Sequence, residues 1–342
     1  MNKVGLKKNS LKKNLKKNDT SYTASNGNQN KSNQSDFSDK PSILITGPNG
    51  LVGSKFTKLF ADKYQFDNLD LRHPTQPVDI TNLDQVLRTF EQSKAHLAIH
   101  LAAYTDVTAA WEQRKDKTGL AWQVNVEGTD NIIRACQQFD KYLIHISTAY
   151  VFDGEATSQY TEQDQPNPIE WYGQTKWEAE KLVMDSKTDW TILRIDQPFR
   201  SDPFEKTDFA HRIIQGLKQD SLYPMFEDHY FGPTYIEDFA RVLNFFIRKI
   251  INKNSQEKSI KKLMGVFHAS SGEKWSDFDF AQAIKHELNL PGQVKPGTLD
   301  KYLKTLSRPY QRNTSLDTSK LKQILDFQLK PVKQAIRELE VE

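Results

Sequence analysis

The most constraining feature of this chain is Gly47-Pro48-Asn49-Gly50-Leu51-Val52-Gly53. It follows a short apolar run, Ser42-Ile43-Leu44-Ile45-Thr46, and opens a helical pattern that reaches Lys63. Three glycines spaced G-x-x-G-x-x-G between a strand and a helix let the backbone turn sharply and let a ligand approach without a Cβ in the way. The helix start then offers free N–H groups and the positive end of its dipole to an anion. Glycines alone are weak evidence, because a ligand-free turn uses them too. Strand before and helix after favour a pyrophosphate cradle, with Gly47, Asn49, Gly50, Leu51, Val52 and Gly53 as its contacts.

Further along, apolar runs of strand length alternate with helical spacing. Strands are expected at 69–71, 96–101, 142–146 and 190–195, and helices at 83–90, 119–139 and 172–183. That alternation predicts an α/β fold with a Rossmann-type, doubly wound parallel sheet covered on both faces. After Ile195 the pattern loosens. Helices are expected at 208–218, 236–250 and 276–288, a strand at 265–269, and amphipathic segments at 319–327 and 332–339. We expect an NAD(P)-binding domain over 41–195 and a smaller, discontinuous substrate lobe over 196–342. Part of that lobe, about 233–269, should return to the first domain.

Composition removes several function classes. Residues 1–40 hold nine Lys and three Asp, so this segment carries +6 and the remainder −3 of the formal +3. A mildly acidic body argues against nucleic-acid binding. The 1–40 segment is rich in Lys, Asn and Ser and poor in residues to bury, which predicts a disordered, solvated tail. Leu6, Leu11 and Leu15 leave open a weak basic helix that touches an anionic surface. No apolar stretch has the length of a membrane span. The single cysteine, Cys136, excludes an internal disulfide framework and a multi-Cys metal site. His96 and His100 are four apart in an expected strand, where core packing or a hydrogen bond explains them better than a metal, so no metal site is expected. A cytoplasmic location is the expectation.

Asp70, near the end of the second expected strand, suits the adenosine ribose of NADH. Arg72 and His73 follow at once and suit the 2′-phosphate of NADPH. Either cofactor fits. Asp79 and Ile80, in Val78-Asp79-Ile80-Thr81, are placed to meet the adenine edge, although Asp79 also suits capping of the next helix. Tyr172 and Lys176 lie four apart, on one helix face. A cation beside the Tyr172 hydroxyl would stabilise the phenolate and lower its pKa towards the range useful for acid–base work. Thr148, at a strand end, adds a hydroxyl able to hydrogen-bond a carbonyl. A lone Y-x-x-x-K is common by chance. Here it follows a Ser-Thr strand end within a dinucleotide fold, which favours catalysis.

The chain resembles the dTDP-4-dehydrorhamnose reductase family of extended short-chain dehydrogenase/reductases. The resemblance is carried by His100-Leu101-Ala102-Ala103-Tyr104-Thr105-Asp106-Val107 and Ser147-Thr148-Ala149-Tyr150-Val151-Phe152-Asp153-Gly154. Pro166-Asn167-Pro168, Tyr172-Gly173-Gln174-Thr175-Lys176 and Gly232-Pro233-Thr234-Tyr235-Ile236-Glu237-Asp238 add to it, as do Arg308-Pro309 and Ser315-Leu316-Asp317 with Lys320-Leu321. It implies a soluble oxidoreductase that uses NADPH or NADH to reduce a 4-keto nucleotide sugar, as in deoxysugar synthesis. Lys176 would hold the nicotinamide ribose and tune Tyr172, Tyr172 would donate the proton, and Thr148 would polarise the carbonyl. Ala102, Ala103 and Tyr104 would border the cofactor. Asn125 is open between supporting the site and an ordinary helix surface. A homodimer is also open.

The chain departs from the family pattern at Ala149, where Asp is usual, and at Thr108 and Trp111, where acids are common. It departs most at Ile195-Asp196-Gln197-Pro198-Phe199, where a Thr-Ser-Trp-Val-Tyr run is frequent. These changes fall at the substrate lobe, so the reaction type transfers more safely than the sugar. Arg212 and Lys218 suit a diphosphate, but exposed helix charges explain them better. Two alternatives stand beside the reductase: a nucleotide-sugar epimerase or dehydratase on the same scaffold, and a non-catalytic NAD(P)-binding regulatory subunit.

Overall fold

The apolar run Ser42–Thr46 forms β1, and all but its first residue are buried, as a strand covered on both faces requires. A computed structural model of the chain describes residues 40–252 and 260–341. The expectations for the 1–39 part of the tail, including Leu6, Leu11 and Leu15, lie outside the described residues, as does most of the charged 253–262 stretch. From Lys40 onward the described chain belongs to one compact unit.

After β1 come α1 (Leu51–Phe60), β2 (Gln65–Leu69), α2 (Leu83–Gln92) and β3 (Leu97–His100). Then follow α3 (Val107–Glu112), α4 (Leu120–Trp122), a π-helical turn over Gln123–Glu127, and α5 (Gly128–Gln138). β4 (Tyr142–Thr148), α6 (Trp171–Asp185) and β5 (Trp190–Ile195) complete the first half. The sheet order is β2-β1-β3-β4-β5 and then Gly265–His268, with every pairing parallel. This is the doubly wound α/β sheet that the alternation predicts.

Strand residues alternate between two cores. Ile43, Ile45, Ile99, Ile144 and Leu193 face a cluster that holds Phe56 of α1 together with Leu243 and Phe246 of α8 (Ile236–Ile251). Leu44, Ala98, Leu143 and Ile192 face Val86 and Phe90 of α2 and Ile132 of α5. A third cluster, with Phe199, Phe209, Phe231, Phe280 and Ile336, forms the core of the later segments and includes α7 (Phe209–Lys218). Within 233–269, α8 packs against α1 and Gly265–His268 extends the parallel sheet beside β5.

Three element expectations are corrected. The second strand is Gln65–Leu69, not 69–71: Leu71 stands 64% exposed, and the Asp70 carboxyl accepts the Arg72 N–H, which turns the chain. His96 precedes β3 and is exposed, so it shares no sheet face with buried His100. The segments expected at 319–327 and 332–339 are helical only over Ser319–Lys322 and Val332–Ile336.

One buried ion pair ties β5 to α6. Arg194 meets both carboxylate oxygens of Glu180, at 2.9 and 2.6 Å, with side chains 2% and 0% exposed. Glu180→Ala would strand a guanidinium in the core and should cost about 3–5 kcal/mol, read as a lowered urea midpoint. A loss under about 1 kcal/mol would show that the pair behaves as a surface one.

Candidate active site

β2 and β3 lie on opposite sides of β1, so the crevice beyond the carboxyl ends of β1 and β3 is the switch point of the sheet, where open α/β sheets bind ligands. The glycine turn sits there. Gly47 has φ +65°, and a Cβ on it would stand 2.9 Å from the Ala102 backbone nitrogen. A Cβ on Gly53 would meet the Gly47 carbonyl oxygen at 2.3 Å. α1 starts at Gly50 without a side-chain cap, so its leading N–H groups stay open to an anion. Leu51 and Val52 occupy its first turn. This cradle fits a dinucleotide pyrophosphate.

A buried hydrogen-bond chain fixes the loop after β3. Thr46 Oγ1 accepts from Leu101 N at 3.1 Å and Ala102 N at 3.0 Å, and lies 2.7 Å from His100 Nδ1. His100 Nε2 lies 3.0 Å from Thr129 Oγ1, which donates to the Asn125 carbonyl at 2.7 Å. With both hydroxyl protons so used, His100 is neutral and carries its proton on Nε2. Burial, and secondarily the Lys176 charge, lower its pKa to about 3. Asn125, in the π-helical turn, accepts from Tyr104 N at 2.8 Å and donates to the Tyr104 carbonyl at 3.1 Å and Thr175 Oγ1 at 2.9 Å. The side chain that the sequence left open therefore clamps the Ala102-Ala103-Tyr104 loop to α6.

Just past β2, the Asp70 carboxylate accepts Asn49 N at 3.2 Å and Arg72 N at 2.8 Å. It thus holds the glycine turn against the end of β2. Arg72 bonds the Asn49 carbonyl and Glu205. Asp79 accepts the Thr81 N–H and hydroxyl at 2.9 and 2.8 Å, while Asn82 caps α2. Ile80 is tied to α5 through its carbonyl, by Asn131 at 2.9 Å.

Glu170 begins α6, accepting Tyr172 N at 2.7 Å and Gly173 N at 2.6 Å. Burial raises its carboxyl to about 7, against the pull of those N–H groups and of Arg308. Gly173 is needed because a Cβ there would come within 2.1 Å of the Tyr150 carbonyl oxygen. Tyr172 packs edge-on to Tyr150 at 5.9 Å between ring centroids, and the Thr148 hydroxyl, which accepts the Tyr150 N–H at 3.2 Å, lies near its own. Lys176 Nζ donates to the Ile146 carbonyl at 2.9 Å. Burial lowers its ammonium to about 8, with Glu180 opposing. The expected lowering of Tyr172 by a cation is corrected: burial, then the Glu170 charge, push its hydroxyl above the ordinary value, and only the Thr148 bond lowers it. Tyr172 therefore keeps its proton, the form a donor needs.

Later segments close the far wall. Trp111 Nε1 donates to the Ser307 carbonyl at 2.9 Å, and Arg308 Nε reaches Thr108 Oγ1 at 3.4 Å. The family departures in α3 thus hold the Arg308 loop. The Arg308 guanidinium lies 5.0 Å from the Tyr310 ring centroid. Arg212 is exposed and stands 5.8 Å from the Phe209 ring, and Lys218 is exposed at the end of the same helix. Among the described residues no cluster of His, Cys, Asp and Glu could hold a metal ion.

Sequence reading missed Glu170, Tyr150, Tyr310 and the burial of Asp196. An acid just before the Tyr172 helix was a cap signal for Glu170; the others depend on contacts distant in sequence. Asp196 Oδ2 accepts Gly232 N and Thr314 Oγ1, each at 2.8 Å, while buried Oδ1 has no partner. Burial raises its carboxyl to about 7, opposed by those bonds, His229 and the Gln197 N–H. A carboxyl with a folded pKa above its unfolded value of about 3.9 stabilises the fold fully at low pH. Stability should fall by roughly 2–4 kcal/mol as pH rises from about 4 through 7. Asp196→Asn, whose amide keeps both contacts, should flatten that fall in melting temperature. A curve parallel to wild type would mean Asp196 is ionised in the fold.

Comparison with known proteins accords with this arrangement. A family model described as the RmlD substrate binding domain matches residues 41–341. A dTDP-4-dehydrorhamnose reductase of Aggregatibacter actinomycetemcomitans is 30% identical over 304 residues, covering 87% of this chain and 97% of its own. The methionine adenosyltransferase 2 subunit beta of Mus musculus is 30% identical over 307 residues, covering 86% of each. The Bacillus anthracis dTDP-4-dehydrorhamnose reductase, solved in complex with NADP, superposes with a TM-score of 0.76 at 26% identity, covering 88% of this chain and 99% of its own. With nearly the whole described chain inside the family model, and with a full-length relative at that identity, the protein belongs to the dTDP-4-dehydrorhamnose reductase family of NAD(P)-dependent oxidoreductases.

Proposed function

We propose that this protein reduces the 4-keto group of a nucleotide-linked sugar, dTDP-4-dehydrorhamnose or a close relative, using NADPH or NADH. The observation that carries the reading is the pair of hydroxyls of Thr148, at the end of β4, and Tyr172, in α6, in a sheet whose β1 ends in the open glycine cradle. A reduced dinucleotide held through its pyrophosphate by that cradle would supply hydride. With the Thr148 and Tyr172 hydroxyls near each other, Thr148 would orient the keto oxygen, and Tyr172, kept protonated by burial, would give it a proton. Lys176 has three N–H bonds and spends one on Ile146; the other two are available to ribose hydroxyls. Supply of nucleotide sugar and reduced nicotinamide places this chemistry in the cytoplasm.

A second reading is favoured by the likeness to methionine adenosyltransferase 2 subunit beta and by Asp196-Gln197-Pro198-Phe199 at the substrate lobe: a regulatory subunit that keeps the cofactor cradle. An epimerase or dehydratase would recycle its cofactor without net consumption. Absorbance of NADPH or NADH with purified protein and dTDP-4-dehydrorhamnose separates the reductase from the other two. The reductase consumes the cofactor steadily, and binding without consumption supports the alternatives. Tyr172→Phe should cut turnover by about two to four orders of magnitude while changing cofactor affinity little. Turnover within a few-fold of wild type would remove Tyr172 from the proton step. In wild type, turnover should also decline above pH about 8 as Lys176 loses its proton.

A further inference from the structure

We propose that Glu205 sets the choice between NADH and NADPH by competing with the 2′-phosphate for Arg72. The inference rests on the reading that the glycine turn holds a dinucleotide. Residues 200–206 form a strap between Pro198–Phe199 and the Asp208 cap of α7. Its root is anchored in buried polar contacts. Arg200 Nη1 donates to the Leu51 carbonyl at 3.2 Å and Ser54 Oγ at 2.9 Å, while its other nitrogens pair with Asp202. Buried Lys55 holds Ser201 Oγ at 3.0 Å and Glu237 at 2.7 Å.

The tip of the strap makes two exposed contacts. Glu205 pairs with Arg72, just past β2, and Lys206 Nζ donates to Thr105 Oγ1, past β3, at 2.8 Å. β1 lies between those two strands, so consecutive residues of opposite charge grip both flanks of the crevice above Gly47.

The other branch of Arg72 bonds the Asn49 carbonyl within the glycine turn, and Asp70 accepts N–H groups from both Asn49 and Arg72. An adenosine ribose on Asp70 therefore presents its 2′ oxygen to Arg72. A 2′-hydroxyl leaves the Arg72–Glu205 pair intact. A 2′-phosphate claims the guanidinium and is repelled by the displaced Glu205 carboxylate. With side chains 53% and 69% exposed, the pair is weak, so Glu205 biases the choice by a modest factor and does not forbid NADPH.

The experiment is a fluorescence titration of the full chain with NADH and with NADPH, for wild type, Glu205→Gln, Arg72→Gln and the double variant. Glu205→Gln should tighten NADPH about fivefold and leave NADH within about twofold, and the gain should vanish in the double variant. An equal change for both cofactors, no change for NADPH, or a gain that persists without Arg72 overturns the proposal. If wild type binds neither cofactor, the underlying cofactor reading falls, and this inference with it.

Discussion

The Thr46 hydroxyl is the interaction on which the site depends. It accepts the N–H groups of Leu101 and Ala102 and donates to His100, joining the carboxyl ends of β1 and β3 where the glycine turn begins. From His100 the chain of bonds passes through Thr129 to the Asn125 carbonyl; the Asn125 side chain then grips Tyr104 and Thr175, and Thr175 donates to the Tyr172 carbonyl at 2.8 Å. Buried polar networks are favourable only when satisfied, and then they impose one arrangement. This one links cradle, cofactor-side loop and catalytic helix, and the π-helical turn presents Asn125 to both of its neighbours.

Against that rigid half, the substrate side is built from contacts distant in sequence. α3 holds the Arg308 loop through Thr108 and Trp111, and Asp196 receives Gly232 and Thr314. Gln197, with φ 36°, takes the chain across from β5 into this wall. Thr108, Trp111, Asp196 and Gln197 are departures from the family pattern, and they meet residues of its matching stretches, Arg308 and Gly232.

Electrostatics divides the site in a similar way. Around α6 burial dominates: it keeps Tyr172 protonated, raises Glu170 and lowers Lys176. Past the end of β2, Arg72 and Glu205 are exposed, and such a pair exchanges partners at little cost.

The sequence by itself determined the parallel sheet and the glycine turn between β1 and α1, because strand and helix periods and glycine spacing are local properties of the chain. It placed β5 at its observed residues, where Trp190–Ile195 is a strongly apolar run, and misplaced β2, where Gln65–Leu69 is mixed in polarity and only its last residue is buried. Only the tertiary structure decided that Asn125 clamps Tyr104, that Glu170 and Asp196 are buried carboxyls, and that Glu205 reaches Arg72 across 133 residues. Burial and long-range pairing arise when distant segments meet, so no local pattern in the chain records them.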